Sequence, residues 1–227
     1  NKAQDNAETL IVRFTNEKFF SGHPLATNVL GNQKSIMDAT ADALVAYKEK
    51  FLIPNNSCLM VSGNISHNTV VALTEKYFGE WQKGLSAISN IDFKPLGYGP
   101  YFQVKDLQQT LVSYSMHTIP GSDTRAFAAL DLVKNFLTFG QSSILNEELR
   151  HKRGLVYSVG ATNVVFSDTG FFSIRTSTSK PVETIEAIKN VVRNLKSLFT
   201  EDLLAIIKAR YVGSFKLGIA NPYHQTD

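Results

Sequence analysis

Cysteine is almost absent from this sequence: Cys58 is the one thiol in 227 residues, so no internal disulfide can staple the fold. It lies in the apolar run Cys58-Leu59-Met60-Val61, which reads it as a small buried hydrophobe rather than a reactive thiol. A single cysteine leaves the redox compartment open. Charge of one sign is also lacking. The formal net charge of +3, with Lys and Arg scattered and no block of like charge, gives no electrostatic footprint for a nucleic-acid partner. The aromatic residues fall at core spacings rather than between basic ones, so they build no stacking platform for single strands. No apolar run approaches the roughly 20 residues that span a bilayer, and the start shows no signal-peptide pattern. The chain opens at Asn1 without an initiator Met and closes on Pro222-Tyr223-His224-Gln225-Thr226-Asp227 without an obvious terminal element, from which a piece of a longer protein is expected.

Catalytic signatures are missing as well. The five histidines are His23, His67, His117, His151 and His224. None begins His-x-x-x-His or His-x-x-Glu-His, so no pair shares a helical face in the way a self-contained catalytic zinc site requires. There is no Gly-x-Ser-x-Gly elbow, no histidine placed to activate Cys58, and no Gly-x-x-x-x-Gly-Lys-Ser/Thr or Gly-x-Gly-x-x-Gly phosphate loop. His23 reads as a loop residue and His117 as a strand residue, neither a metal ligand.

What remains is a well-patterned globular chain, 43% hydrophobic and 19% charged, with enough apolar surface for a core. Residues 7–20 carry a modest helix pattern (Leu10, Ile11, Phe14, Phe19), closed by Gly22-His23-Pro24. A helix is expected from about Ser35 to Phe51, a turn at Pro54-Asn55-Asn56, and a buried strand over Ser57–Ser62 closed by Gly63. Ser66 can cap the next helix, striped by Val70, Leu73, Tyr77 and Phe78 up to Gly79. Residues 83–100, with Gly84, Pro95, Gly97, Gly99 and Pro100, read as a linker. Strands are then expected over Tyr101–Lys105 and Thr110–Thr118. Ser122 or Asp123 can cap a helix carrying Ala126, Ala129, Leu130, Val133, Phe136 and Leu137, stopped at Phe139-Gly140. A helix over about Ser142–Lys152 ends at Gly154. Strands at about 155–166 and 171–178 are joined by Ser167-Asp168-Thr169-Gly170. Pro181 opens a helix striped by Ile185, Ile188, Val192, Leu195 and Phe199, and a last helix covers about 201–216.

The order strand-strand-helix-helix-strand-strand-helix-helix predicts an α+β fold, an antiparallel sheet with helices packed on one face. Two parts are expected: residues 1–92 as the tail of a first α+β unit, and residues 93–227 as a second unit truncated at its C-terminal end.

One stretch carries more than pattern: Gly140-Gln141-Ser142-Ser143-Ile144-Leu145-Asn146-Glu147-Glu148-Leu149-Arg150-His151-Lys152-Arg153-Gly154-Leu155-Val156-Tyr157-Ser158. Taken as residues, Arg150 is a cation at a helix end meeting the helix dipole, and Tyr157, alternating with Leu155 and Val159, is a half-buried strand tyrosine. The stretch also resembles the second half of pitrilysin/insulinase-type zinc metallopeptidases, including mitochondrial processing peptidases. That family shows a Gly-rich turn, Ser-x-Leu, Leu-Arg and Gly-Leu-x-Tyr before a hairpin. Here these are Ser143-Ile144-Leu145, Leu149-Arg150 and Gly154-Leu155-Val156-Tyr157. Upstream, His23-Pro24, Gly31, Pro54-Asn55-Asn56, Gly63-Asn64 and Phe78-Gly79 fit the same family in order, so the resemblance covers nearly the whole chain.

The resemblance implies the processing-peptidase-like α/β roll, and a half that holds substrate and binds no zinc. In that family an Arg and a Tyr seven residues apart reach across to the zinc site; the matching pair is Arg150 and Tyr157, with Arg153 the candidate if the register differs. No catalytic or metal-binding residue is expected in this chain. Zinc, its ligands and the Glu base would come from an N-terminal zinc-bearing half or from a partner subunit in a homo- or heterodimer. Substrates would be extended peptides, with no nucleic acid and no membrane span, and a bacterial periplasm or envelope location is what the smaller relatives suggest. The alternative from the same resemblance is a catalytically inactive scaffold or partner subunit.

Overall fold

The computed structural model describes residues 7–85, 98–121, 123–167 and 169–219. In chain order the helices are α1 (Ala7–Phe19), α2 (Gln33–Met37), α3 (Ala41–Phe51), α4 (His67–Phe78), α5 (Thr124–Thr138), α6 (Pro181–Arg193), α7 (Leu195–Leu198) and α8 (Glu201–Ile219). The strands are β1 (Thr110–Thr118), β2 (Val159–Val165) and β3 (Gly170–Thr178), and a π-helical turn spans Asn146–His151. The chain groups into two units: Asn1–Ser21 with Leu96–Ser214, and Gly22–Pro95 with Phe215–Asp227. The linear division at residue 92 therefore separates α1 from the sheet it packs on. Most of the expected 83–100 linker lies outside the described residues.

In the first unit the strands form one antiparallel sheet in the order β1-β3-β2. Thr110 pairs with Thr178 and Thr118 with Gly170 on one side; Val159 pairs with Thr176 and Val165 with Gly170 on the other. Strand alternation sends Phe172 and Ile174 of the central strand into a core with Phe136, Leu137, Leu145, Leu149, Ala187, Ile188 and Val191. That core is the reason for the α+β layering: α5, the π-helical turn and α6 each bury one apolar stripe against one sheet face. Asp123 starts α5 by accepting from the Ala126 N–H at 2.9 Å, and Pro181 starts α6 at a position where a missing N–H costs nothing. Phe171 and His117 point to the opposite face, where Phe19 of α1 stacks on His117 with ring centroids 3.8 Å apart and Phe20 meets Phe171 edge-on at 5.4 Å. The antiparallel sheet with packed helices thus matches the expected class, and α1 adds an aromatic contact on the second face.

Several sequence expectations fail locally. The Ser35–Phe51 helix is two helices: Asp38 ends α2, and Thr40 begins α3 by accepting from the Ala43 N–H at 3.2 Å. A threonine cap inside an apolar-periodic run is invisible to periodicity, because it acts through a side-chain oxygen rather than through hydrophobicity. Residues 57–62 form no strand and are not buried: Leu59 is 57% and Met60 61% exposed. Cys58 is likewise exposed, not a buried hydrophobe. A strand exists by pairing its N–H and C=O groups with a neighbour, and the one sheet among the described residues takes in only β1, β2 and β3. Tyr101–Lys105 also stays outside the sheet, and β2 begins at Val159 rather than 155. Asp168 of the hairpin turn and Ser122 lie outside the described residues, so Asp123 is the observed cap.

The second unit is tied by one bond pair across 29 residues and by a local helix cap. Asn55 closes a reciprocal pair with Gly84, its amide donating to the Gly84 carbonyl at 2.9 Å and its Oδ1 accepting from the Gly84 N–H at 3.1 Å. Ser66 caps α4 through the Thr69 N–H at 3.2 Å. The apolar stripe of α4 with Leu59, Val61 and Ile65 lines an open apolar hollow.

Candidate functional site

The stretch that carried the resemblance folds as an irregular turn, not the regular helix expected from Ser142. Gly140 takes φ +84, a conformation open to glycine and strained for other residues, and this ends α5. The buried Asn146 amide then donates to the Gly140 carbonyl at 3.0 Å and to Ser143 Oγ at 2.9 Å, pinning the start of the turn. Leu145 and Leu149, both fully buried, fix its inner side. The helix widens here: the Lys152 N–H bonds the Glu147 carbonyl, five residues back, at 2.9 Å. Such π turns insert an extra residue, re-aim the side chains that follow, and concentrate at functional sites. Gly154, at φ +58, closes it. Its N–H bonds the Arg150 carbonyl at 3.1 Å and the Leu155 N–H bonds the Leu149 carbonyl at 2.8 Å, each one residue wider than the usual Schellman pair.

Beyond Gly154 the alternation expected of a strand breaks. Leu155 and Val156 are both buried, whereas Tyr157 projects with 79% of its surface exposed. The turn aims Arg150 at that ring: the guanidinium carbon lies 5.0 Å from the Tyr157 centroid, a cation–π contact worth about 0.5–1 kcal/mol at an exposed site. Arg150 Nη1 also donates to Gln141 Oε1 at 2.9 Å. Of the five guanidinium N–H groups, the hydrogen bonds found among the described residues use one. The phenol oxygen of Tyr157 has no hydrogen-bond partner among the described residues. A cationic fork and a phenol hydroxyl thus share one open surface.

Arg153 is committed elsewhere. Its Nε and Nη2 both donate to Glu148 Oε1, at 2.9 and 2.6 Å, and Lys152 Nζ reaches Glu148 Oε2 at 3.3 Å. The hydrogen bond from Arg153 is the main reason the Glu148 carboxyl titrates below its usual range; partial burial opposes this and Lys152 adds to it. Gln141 carries no motif signal in the sequence. Its role depends on the π turn bringing residue 150 back toward residue 141, and no spacing rule encodes that.

The histidines sit apart. His23 Nδ1 accepts from the Leu25 N–H at 3.1 Å, capping the short 3₁₀ turn Pro24–Ala26. His117 stacks on Phe19, and burial pushes its pKa down. His67 and His151 are exposed, and His224 lies outside the described residues. Among the described residues no three His, Cys, Asp or Glu side chains gather into a metal-binding group. The described residues therefore offer no ligand set for a zinc ion.

The three-stranded antiparallel sheet and its helical cover define an α+β domain. The chain belongs to the M16 peptidase family: residues 38–211 match the family model described as the Peptidase M16 inactive domain. It is 31% identical over 183 residues to an uncharacterized zinc protease of Rickettsia felis, covering 78% of this chain and 42% of that protein. It is 30% identical over 159 residues to an uncharacterized zinc protease of Mycobacterium leprae, covering 68% and 36%. The chain spans less than half the length of these relatives. Among solved structures, the M16 inactive domain from Pseudomonas fluorescens superimposes with a TM-score of 0.80 at 24% identity, covering 94% of this chain and 52% of that one. A protease from Helicobacter pylori superimposes with a TM-score of 0.82 at 18% identity, covering 97% and 55%. At these identities the structural likeness speaks for the fold alone.

Proposed function

We propose that this chain is the substrate-holding half of a zinc metallopeptidase that cleaves extended peptides, with Arg150 and Tyr157 as its grip. The observation that carries this reading is the convergence of the Arg150 guanidinium and the exposed Tyr157 ring at 5.0 Å. A guanidinium offers fixed donors to backbone carbonyls of an extended peptide, which needs no particular substrate side chain. A phenol hydroxyl can donate to a scissile carbonyl oxygen as it gains charge, the kind of contact that is stronger in the transition state than in the ground state. Zinc, its ligands and the general base would lie outside this chain, in the catalytic half of the same polypeptide or in a partner subunit.

The test is cleavage of an unstructured peptide by the full-length protein, with and without chelator, for wild type and Arg150→Ala. The expected outcome is chelator-sensitive cleavage and a raised KM in Arg150→Ala, since a ground-state contact to the peptide backbone is lost. Cleavage that ignores chelator would count against zinc chemistry. No cleavage by a correctly folded wild type would instead favour the scaffold or partner-subunit reading.

A further inference from the structure

We propose that Thr176 and Thr178 of β3 are positioning residues for the Arg150–Tyr157 pair, acting on the backbone either side of the tyrosine; this rests on the substrate-holding reading above. Backbone pairing between β2 and β3 stops at Val159–Thr176. Past that point two β3 hydroxyls hold the chain. Thr176 Oγ1 donates to the Ser158 carbonyl at 2.6 Å, and Thr178 Oγ1 donates to the Leu155 carbonyl at 2.7 Å. Residues two apart on a strand share a face, so both hydroxyls reach from the side of β3 that also carries Phe172 and Ile174 into the core.

The two carbonyls bracket Val156 and Tyr157. With Leu155 and Val156 buried and both ends of the segment tied, the tyrosine is left with an outward course over the π turn, where Arg150 meets it. The Leu149 carbonyl adds a third tie through the Leu155 N–H at 2.8 Å. β-propensity alone does not select threonine here, since valine has the same shape and serves a strand as well. Buried hydroxyls cost free energy unless bonded, and Thr178, 1% exposed, besides donating to the Leu155 carbonyl accepts from the Lys180 N–H at 3.0 Å and from the Thr184 hydroxyl at 3.0 Å. The bond from Lys180 gives Thr178 an ordinary structural role at the start of α6. Thr184 provides the comparison. It is fully buried, its hydroxyl lies 3.0 Å from Thr178 Oγ1 and 2.8 Å from the Lys180 carbonyl, and it touches no carbonyl of the 155–158 segment.

The experiment uses the full-length protein with labelled arginine. It follows the ring-current shift of the Arg150 side chain by NMR, together with kcat and KM on an extended peptide, for Thr178→Val, Thr178→Ser, Thr176→Val and Thr184→Val. Thr178→Val and Thr176→Val are each expected to collapse the ring-current shift. They should lower kcat about ten- to hundredfold with KM changed by less than about threefold, the pattern of a misplaced transition-state contact. Thr178→Ser, which keeps the donor, should restore both readouts. Thr184→Val should lower the melting temperature and leave the shift and kcat alone. Should Thr178→Val fail to fold, Thr176→Val carries the test by itself. An unchanged Arg150 shift in folded valine variants overturns the proposal. A lost shift with unchanged kcat supports the positioning role and counts against the substrate-holding reading.

Discussion

Residues 22–85 and residues 98–214 carry the same kinds of local signal and differ in what covers them. Asn32, Thr40 and Ser66 cap helices in the first stretch with side-chain oxygens, as Asp123 does in the second. Both contain amphipathic helices. Yet in the first stretch Ile53 is the one buried residue, while Leu44, Tyr47, Met60 and Tyr77 stand more than 60% exposed. In the second, Leu145, Leu149, Ile174 and Ile188 are fully buried. Capping decides where a helix begins and is settled within four residues. Burial needs a second layer, and among the described residues only the second stretch has a paired sheet to supply one.

The comparison can be broken with large-to-small substitutions. Leu149→Ala should destabilise by about 2–5 kcal/mol in chemical denaturation, the range for emptying a filled core site. Leu44→Ala, on a side chain 64% exposed, should stay within about 0.5 kcal/mol. Equal losses would mean that burial does not separate the two stretches. The caps give a finer contrast. Asp123→Ala should cost about 1 kcal/mol and appear in the global unfolding midpoint, because α5 is part of the core layer. Ser66→Ala removes an equivalent bond, yet should appear as faster amide exchange in the first turn of α4, with little movement of that midpoint.

A smaller effect concerns pH. Burial lowers the His117 pKa, so the folded protein binds fewer protons than the unfolded chain as pH falls through the ordinary histidine value of about 6.5. The stability this group contributes is present above that value and is lost as pH drops through the depressed one. His117→Phe keeps a ring against Phe19 and removes the proton, so its urea midpoint should vary less between about pH 7 and 5 than that of wild type. An unchanged slope would place the pH response in another group.

How much was legible follows the same division between local and non-local causes. The starts of α4, α5 and α6 could be read from Ser66, Asp123 and Pro181, because each cap acts on its own next few residues. The Gly154 stop and the β2–β3 hairpin were readable for the same reason. Residues 57–62 and 101–105 could not be read correctly, because strand formation depends on a neighbour that an apolar run does not name. The resemblance pointed to Arg150 and Tyr157, and the structure brings their side chains together, but the exposure of Tyr157 had no signal in the sequence: alternation made it half-buried, whereas a π turn and two hydroxyl ties turn it outward. Gln141, Thr176 and Thr178 gave no signal, since each acts through a bond whose partner is set by that irregular backbone.

The most direct test is a double-mutant cycle on kcat/KM in the full-length protein, using Arg150→Ala, Tyr157→Phe and the pair. Loss of the phenol donor should lower kcat by about 10²–10³, the cost of removing one oxyanion donor. The double variant should lose less than the product of the single losses, because the two groups touch. Single variants that cleave at the wild-type rate would contradict the assignment of this pair as the peptide grip.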